Sequence, residues 1–178
     1  MSEPLAAEPL AGKRVRLVPA APEHIVAFTS VLADPTVARW WTAVDPEAEA
    51  RRIVATEDDD VVAWAIESDG AVVGILQAWE ETDPGYRHAG VDLSLAADAQ
   101  GRGLGPDAMR TVIRWLFEGR GHHRITVDPS AANDHAIRAY TKVGFRPVGV
   151  MRLYERDAEG AWHDGLLMDL LRGELLGG

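Results

Sequence analysis

A glycine-rich loop is the first feature of this sequence whose residue types can perform binding chemistry. Gly101, Gly103 and Gly105 alternate within residues 100–106. Without β-carbons, successive backbone N–H groups can converge on an anion, and a helix that begins here adds the positive end of its dipole. The loop lacks the Gly-Lys-Ser/Thr of a Walker sequence and the glycine spacing of a Rossmann fingerprint. It predicts an anion-binding turn, with an ordinary tight strand-to-helix connection as the alternative.

Charge is unevenly distributed along the chain. The 178 residues include 18 Lys and Arg against 28 Asp and Glu, a net charge of −10. Residues 102–146 hold eight basic and four acidic residues, whereas the remainder holds 10 basic and 24 acidic. The basic segment therefore suits an anionic ligand and the acidic remainder a cationic partner, unless the acidic surface only confers solubility. Net negative charge disfavours a nucleic-acid partner, because phosphate contacts dominate that affinity.

One predicted helix and one predicted strand carry polar residues where apolar ones are usual. Asn133, Ala136 and Tyr140 follow the spacing of one helical face, which predicts either core packing or polar contacts with a ligand. Asp92 lies within an apolar strand pattern, where Asp is disfavoured. Period-two alternation places it opposite Val91 and Leu93, so it faces either water or a site.

Several kinds of chemistry are disfavoured. The chain has no Cys, which excludes disulfides and a Cys nucleophile. Its six His residues lack the spacing and the Cys or Asp company of a metal site, so no metal is expected. No apolar run reaches the length of a membrane span, and the N terminus does not resemble a signal peptide, so we expect a cytoplasmic protein with no membrane partner.

Periodicity and turn signals predict one α/β (α+β) domain over residues 13–178, preceded by a flexible tail of residues 1–12. Asp69-Gly70 indicates a tight hairpin turn. Alternation of helices and strands in the second half predicts at least one parallel strand pair. Predicted strands cover residues 14–18, 61–67, 71–79, 89–95, 124–128, 145–154 and 162–170, and predicted helices cover residues 22–33, 46–56, 106–117 and 131–143.

The glycine loop and the later helix together resemble the GCN5-related N-acetyltransferase (GNAT) superfamily. Gln100, Gly103 and Gly105 match its pyrophosphate loop, and residues 133–145 match its second motif. The resemblance covers nearly all of the chain beyond residue 13. It implies the GNAT fold, a mixed and mostly antiparallel central sheet with flanking helices, in which the family's fourth and fifth strands are parallel.

The resemblance also implies acetyl-CoA as the cofactor. It implies that the Asn133 side chain binds the pantetheine arm, and that the Tyr140 hydroxyl protonates the departing thiolate. The residues assigned to the cofactor are Leu95, Gln100, Gly101, Arg102, Gly103, Leu104, Gly105, Asn133, Ala136 and Tyr140.

Further stretches resemble the aminoglycoside 6′-N-acetyltransferases, which acetylate an amine of a polycationic sugar. They are residues 39–41, 79–85 with 90–92, and 128–130 with Asn133. An amine must lose its proton before it attacks a thioester, which makes Asp92 the candidate base. The residues assigned to the acceptor are Trp40, Trp41, Trp79, Glu80, Glu81, Asp92, Asp128 and Asp164, although Glu80 and Glu81 could instead solvate a loop. We expect direct transfer in a ternary complex.

The sequence leaves the identity of the acceptor open. Residues 147–170 are more similar to acetyltransferases that modify the N-terminal amine of ribosomal proteins. The alternatives to a small cationic amine are therefore a protein N terminus or a siderophore precursor. A non-catalytic acyl-CoA sensor is a further alternative, and the chain is expected to be a monomer or a homodimer.

Overall fold

The computed structural model describes residues 5–41, 45–56 and 58–177, which form one eight-stranded sheet in the order β1-β2-β3-β4-β5-β6-β8-β7. Neighbouring strands are antiparallel except for β5 and β6, which are parallel. The predicted mixed, mostly antiparallel sheet with one parallel pair is thereby confirmed. The strands are β1 (Leu10–Ala11), β2 (Arg16–Pro19), β3 (Val61–Ser68), β4 (Ala71–Glu81), β5 (His88–Leu95), β6 (Arg124–Val127), β7 (Arg146–Arg156) and β8 (Trp162–Leu171).

Helices cover both faces of this sheet. They are α1 (Ile25–Ala33), α2 (Pro35–Ala38), α3 (Pro46–Val54), α4 (Leu104–Arg114) and α5 (Asp134–Val143). Side chains alternate along β3, so that Trp64 packs in the core under α4 and α5 while Ala63 and Ala65 pack under α1 and α3. None of the helices in the described part of the chain has the length and apolarity to span a membrane.

The two helices of the second half begin at residues other than those predicted. The predicted start of α4 was Pro106, but Gly103 takes a left-handed conformation and the helix begins at Leu104. A single π-helical turn, Trp115–Gly119, follows its end. The predicted start of α5 was Ala131, but Asn133 caps the helix through Oδ1, which accepts the Ala136 N–H at 3.1 Å.

The segment expected to be a loose tail lies against the sheet over residues 5–12. Leu5 is buried, and its N–H donates to the Asp59 carbonyl at 3.0 Å. Leu10 and Ala11 form β1, which pairs with β2. Apolar burial of Leu5 and Leu10 against the sheet accounts for this placement.

The parallel pair diverges soon after it forms. β5 and β6 pair only at Ala89 with Ile125 and at Gly90 with Thr126. β5 continues to Leu95 whereas β6 ends at Val127, so residues 91–95 have no strand partner on that side. On its other side, β5 pairs along its full length with β4. The divergence opens a notch in the sheet at the carboxyl ends of the two strands.

Candidate active site

A cleft of about 720 Å³ occupies this notch. Its walls come from the free edge of β5, the glycine loop, α5, the turn after β6, and the segment that includes α2 and α3. Twelve of the sequence-predicted site residues line it: Trp40, Trp41, Asp92, Leu95, Gln100, Gly101, Gly103, Gly105, Asp128, Asn133, Ala136 and Tyr140.

The glycine loop borders the cleft at the start of α4. Gly101 and Gly103 have φ of 72° and 78°, a backbone conformation that residues with a Cβ rarely adopt. Gly105 approaches the end of β5, where an added Cβ would lie 3.3 Å from Leu95 Cδ1. The first N–H groups of a helix have no partner within it, so this loop offers backbone donors and a positive dipole end to an anion.

Gln100 holds the loop in place. Its Nε2 donates to the Leu95 carbonyl and to Thr36 Oγ1, each at 2.9 Å. Asp34 reinforces this junction because its carboxylate accepts the N–H groups of Ala97 at 2.8 Å and Thr36 at 2.9 Å. These hydrogen bonds lower the pKa of Asp34, and the one from the Ala97 N–H has the largest effect. The loop is therefore fixed both to β5 and to α2.

Two residues assigned to the cofactor, Arg102 and Leu104, do not line the cleft. The Arg102 guanidinium forms an ion pair with Asp69 in the β3–β4 turn, at 3.2 Å between Nη2 and Oδ2. Leu104 is 1% exposed and belongs to the core. Their backbone atoms remain part of the loop, but the Arg102 side chain is engaged elsewhere.

Asn133 and Tyr140 line the cleft from α5. Asn133 uses Oδ1 for its helix cap, which leaves the amide nitrogen to donate to a ligand. Tyr140 is 8% exposed and packs against Phe145, with ring centroids 5.9 Å apart. Burial raises the pKa of the Tyr140 hydroxyl, and the negative charges of Asp92 and Asp128 raise it further. This hydroxyl therefore keeps its proton at neutral pH and can donate it.

Three carboxylates, Asp92, Asp128 and Glu155, form what we call the acidic end of the cleft. Asp92 Oδ1 accepts the Leu93 N–H at 2.8 Å. Desolvation by the surrounding walls of the cleft raises the pKa of Asp92 to about 6, with a further contribution from the charge of Asp128 and a smaller one from Glu155. The open cleft admits solvent to Asp92, so its carboxylate can exchange protons near neutral pH.

Sequence reasoning missed Tyr154 and Glu155, which reach the cleft from β7. The Tyr154 hydroxyl donates a hydrogen bond to Asp128 Oδ2. This hydrogen bond, together with burial, raises the pKa of Tyr154 to about 12. No local pattern marks these two residues, because their position depends on an irregular register between β7 and β8.

The wall formed by α3 was also missed. Glu49 and Arg52 line the cleft and form an ion pair at 2.5 Å between Oε1 and Nη2. The hydrogen bond from Arg52 lowers the pKa of Glu49 against the effect of burial, and Trp41 adds a further hydrogen bond. Trp41 also packs on the core under α1 and α3, so the predicted Trp pair stands beside a charged helix face.

Glu80, predicted for the acceptor pocket, lies outside the cleft in a buried ion-pair cluster with Arg120 and His122. It is 6% exposed, accepts from Arg120 Nε and Nη2 at 2.9 Å each, and lies 2.7 Å from His122 Nε2. Burial acts to raise the pKa of Glu80, but the hydrogen bonds from Arg120 and His122 outweigh it and lower the pKa. Glu80 therefore joins β4 to the segment after α4 and does not line the cleft.

Trp79, Glu81 and Asp164 also lie outside the cleft lining. Trp79 packs on His88 with ring centroids 5.2 Å apart and covers Gly90, where a Cβ would lie 2.0 Å from Trp79 Cε2. Glu81 Oε1 accepts the Asp83 N–H at 2.9 Å within its own loop. Asp164 Oδ1 accepts the Leu153 N–H at 2.8 Å and so contacts β7.

The sequence matches the model of a known protein family, which shows the class to which this chain belongs. The family model described as an acetyltransferase (GNAT) domain matches residues 14–146, well over half of the chain. The chain belongs to the GNAT family of acetyltransferases. Acetyl-CoA as the donor and acyl transfer as the reaction, which the glycine loop and the later helix predicted, agree with membership of this family.

Among proteins of known name, this GNAT chain is similar to two that are connected with aminoglycosides. It is 45% identical over 73 residues to a kanamycin resistance protein of Rhizobium radiobacter. The aligned segment covers 40% of this chain and 66% of that protein. It is 44% identical over 73 residues to aminoglycoside N(6′)-acetyltransferase type 1 of Klebsiella pneumoniae. That alignment covers 40% of this chain and 35% of the relative. The match thus spans less than two thirds of either relative.

Solved GNAT structures share the whole fold. RimJ of Mycobacterium smegmatis, in complex with CoA-disulfide, superposes with a TM-score of 0.82 at 24% identity, over 100% of this chain and 93% of that one. The ribosomal-protein-S5-alanine acetyltransferase of Vibrio fischeri superposes with a TM-score of 0.79 at 17% identity, over 96% of this chain and 100% of that one. These likenesses show the fold.

The residues of the cleft fit coenzyme A. The left-handed glycines of the loop leave room at the start of α4 for a pyrophosphate, and Arg138 and Lys142 of α5 add positive charge to the same cleft. The free edge of β5 and the Asn133 amide offer hydrogen-bond donors to the amide groups of a pantetheine arm. Tyr140 lines the same cleft, and the charges of Asp92 and Asp128 at the acidic end both raise the pKa of its hydroxyl.

Proposed function

We propose that this enzyme acetylates a primary amine of a polycationic small molecule, with the 6′-amine of an aminoglycoside as the acceptor. The observation that carries the proposal is the acidic end of the cleft, where Asp92, Asp128 and Glu155 meet beside Tyr140. Three carboxylates in one cleft suit a ligand with several ammonium groups better than a neutral or anionic one. Similarity to the kanamycin resistance protein and to the aminoglycoside N(6′)-acetyltransferase supports the same acceptor class.

Asp92 is the proposed base. A primary ammonium group must lose a proton before its nitrogen can act as a nucleophile. With a pKa of about 6, Asp92 is ionised at neutral pH, yet it holds a proton more readily than an ordinary carboxylate. Asp128 and Glu155 would then hold the remaining ammonium groups of the acceptor through their charges.

Tyr140 is the proposed acid. Acetyl-CoA supplies the activated acetyl group as a thioester, and its sulfur leaves as a thiol. The neutral Tyr140 hydroxyl can donate its proton at Oη to that sulfur, because burial and the neighbouring carboxylates keep it protonated. Since the chain has no Cys, we propose direct transfer within a ternary complex, in which positioning of the two substrates contributes several kcal/mol, up to about 7–11 in good cases.

A panel of acceptors tests this proposal. Release of free thiol from acetyl-CoA is measured with kanamycin, with a matched sugar that carries a hydroxyl in place of the 6′-amine, and with a peptide that has a free N-terminal Ala. We expect acceptor-dependent thiol release with kanamycin alone, and a product mass increased by one acetyl group. Turnover of the peptide but not of the sugars would overturn the aminoglycoside proposal and favour a protein N terminus.

Coenzyme A binding provides the control for the panel. Calorimetry should detect binding of coenzyme A whichever acceptor is used, because the glycine loop lies apart from the acidic end. Binding of coenzyme A without thiol release for any amine would instead favour the non-catalytic sensor.

A further inference from the structure

The β7–β8 hairpin contains a backbone irregularity beside the cleft. Its register shifts between Met151 and Glu155, so that this part of β7 bulges from the ladder. Within the bulge, Leu153 has φ of 50°. Among the described residues, Asp69 is the other non-glycine with positive φ, and it belongs to a tight Asp-Gly turn where that conformation is common. A Leu in this region is unfavourable, so its surroundings must hold it there.

Two neighbouring residues of β8 stabilise the bulge. Asp164 Oδ1 accepts the Leu153 N–H at 2.8 Å, which satisfies a donor that the bulge removes from the strand ladder. Gly165 leaves room for the next side chain, because a Cβ there would lie 2.7 Å from Tyr154 Cδ1. Asp164 and Gly165 thus accommodate the bulge of β7 from the facing strand of the hairpin, β8.

The same part of β8 also holds the turn that carries Asp128. The Leu166 N–H donates to the Pro129 carbonyl and the Ala131 N–H donates to the Asp164 carbonyl, each at 2.8 Å. Ser130 and Gly165 form a β-bridge. Residues 164–166 of β8 therefore hold two segments at once: the backbone that follows Asp128, and the bulge of β7 that carries Tyr154.

We infer that Tyr154 is a positioning residue, which fixes the Asp128 carboxylate opposite Asp92 so that the two can share one acceptor amine. This inference rests on the proposed function and adds a residue to its acceptor site. The Tyr154 hydroxyl occupies one oxygen of Asp128, Oδ2, and leaves the other for an ammonium group. Asp164, predicted from sequence to bind the acceptor, acts through Tyr154 instead, because its carboxylate is bonded to the bulge.

A consequence for pH dependence follows from the groups around Asp92. These groups are Asp128 after β6, Glu155 on β7, and Tyr140 on α5, together with the Leu93 N–H. If Tyr154 no longer holds Asp128, the negative charge of Asp128 moves away from Asp92 and water enters. Both changes lower the pKa of Asp92 from its value of about 6.

The variant Tyr154→Phe tests the inference, with Tyr86→Phe as the matched control, because Tyr86 is 77% exposed and lies outside the cleft. We expect kcat/KM for the amine to fall about 10- to 100-fold, the range for a lost hydrogen bond to a charged group. The KM for acetyl-CoA should be unchanged. The Asp92 titration midpoint, followed by carboxyl carbon NMR without any acceptor, should move to lower pH.

The NMR titration decides the inference independently of turnover. An Asp92 midpoint that is unchanged in Tyr154→Phe overturns the inference, whatever the kinetics show. If the native enzyme acetylates none of the amines tested, the proposed function fails, yet a lowered midpoint in Tyr154→Phe still supports the positioning role. Equal losses for both substrates with a lowered melting temperature would indicate a structural role only and would also overturn it.

A pair of Asp164 variants separates positioning from charge. Asp164→Asn keeps an oxygen that can accept the Leu153 N–H, whereas Asp164→Ala removes it. We expect Asp164→Ala to reproduce the kinetic and titration changes of Tyr154→Phe, and Asp164→Asn to restore most of the loss. Equal impairment of the two variants would mean that the charge of Asp164 is what matters, and would overturn its positioning role.

Discussion

Asp92, the proposed base, costs the folded protein stability at neutral pH. Its pKa of about 6 means that the folded chain keeps a proton on this carboxylate up to about pH 6, whereas an unfolded chain loses it near pH 4. Proton uptake by Asp92 therefore favours the folded state below about pH 4, and this contribution is lost as the pH rises through 6. At neutral pH the ionised Asp92 is a destabilising charge.

Asp92→Asn should accordingly stabilise the protein at pH 8. Because solvent reaches the side chain in the open cleft, we expect a gain of only about 1 kcal/mol in the free energy of unfolding. The gain should vanish near pH 4, where the native carboxyl is already protonated. Chemical denaturation at both pH values measures it, with Asp98→Asn, an exposed Asp outside the cleft, as the control.

The same substitution should abolish most of the activity. Removal of a general base lowers kcat by about 100- to 10,000-fold, while coenzyme A should bind Asp92→Asn as it binds the native enzyme. In the native enzyme, kcat/KM for the amine should rise as the pH increases through about 6, as Asp92 loses its proton. A pH profile that is flat across this range would argue against Asp92 as the base.

Tyr140→Phe tests the proposed role of Tyr140 as the acid. The ring keeps its packing against Phe145 and loses only the hydroxyl, so the melting temperature should change little. We expect kcat to fall about 100-fold with little change in coenzyme A affinity. Steady-state kinetics by thiol release measure this effect, and a fully active variant would remove Tyr140 from the mechanism.

At the residue scale, sequence could predict positions that local spacing determines. Strand alternation and helical spacing are local, and Asp92, Asn133 and Tyr140 do line the cleft. The place of Glu80 could not be predicted, because it depends on Arg120, which is 40 residues distant in the chain. Tyr154 could not be predicted either, since no propensity scale anticipates a Leu with positive φ before it.

At the element scale, the cluster of Glu80, Arg120 and His122 ties β4 to the segment that leads into β6. Glu80 and His122 are buried, His122 with 0% exposure, and the Arg120 side chain is 16% exposed. Burial lowers the pKa of His122 despite the opposing effect of Glu80, so the imidazole is neutral at physiological pH. The cluster fixes how β6 is set beside β5 and hence where the notch opens.

Glu80→Ala should therefore destabilise the fold without acting on the chemistry directly. Removal of one partner from a buried ion pair costs about 3–5 kcal/mol, because the remaining charge stays buried. Arg51→Ala is the control, since it breaks an exposed pair with Glu47 and should cost less than about 1 kcal/mol. Chemical denaturation compares the two, and a loss under 1 kcal/mol for Glu80→Ala would contradict the structural role.

Most elements were predictable because each carries its own periodicity and turn signals. The Asp-Gly hairpin, β5, and the helices after the glycine loop lie within a few residues of their predicted bounds. What sequence could not predict is how far β5 and β6 separate. That divergence is set by packing across the sheet and has no local pattern in either strand.

At the scale of the whole molecule, the cleft presents charges of both signs. Arg138, Lys142 and the glycine loop supply positive charge, while the charges that act on Asp92 are the negative ones of Asp128 and Glu155. This arrangement should draw a cationic amine to one region of the cleft and an anionic cofactor to another. Both attractions weaken as salt shortens the Debye length.

We therefore expect the KM for a polycationic amine to rise several-fold between about 0.05 and about 0.5 M salt. Glu155→Gln should reduce this salt dependence, because it removes one of the three charges that attract the acceptor. Glu23→Gln makes the same change outside the cleft and should leave the dependence unaltered. Steady-state kinetics at several salt concentrations give the comparison, and equal slopes for both variants would contradict the proposed charge pattern.

The divergence of β5 and β6 has one more consequence. The cleft forms where β5 and β6 diverge, and not from small side chains in the hydrophobic core. Residues that line the cleft can therefore be replaced without opening cavities in the core. We expect substitutions on the outer walls contributed by α3 and β7 to alter which acceptor fits, while the glycine loop and the interior packing stay intact. This architecture lets the acceptor preference change during evolution with little loss of folding stability.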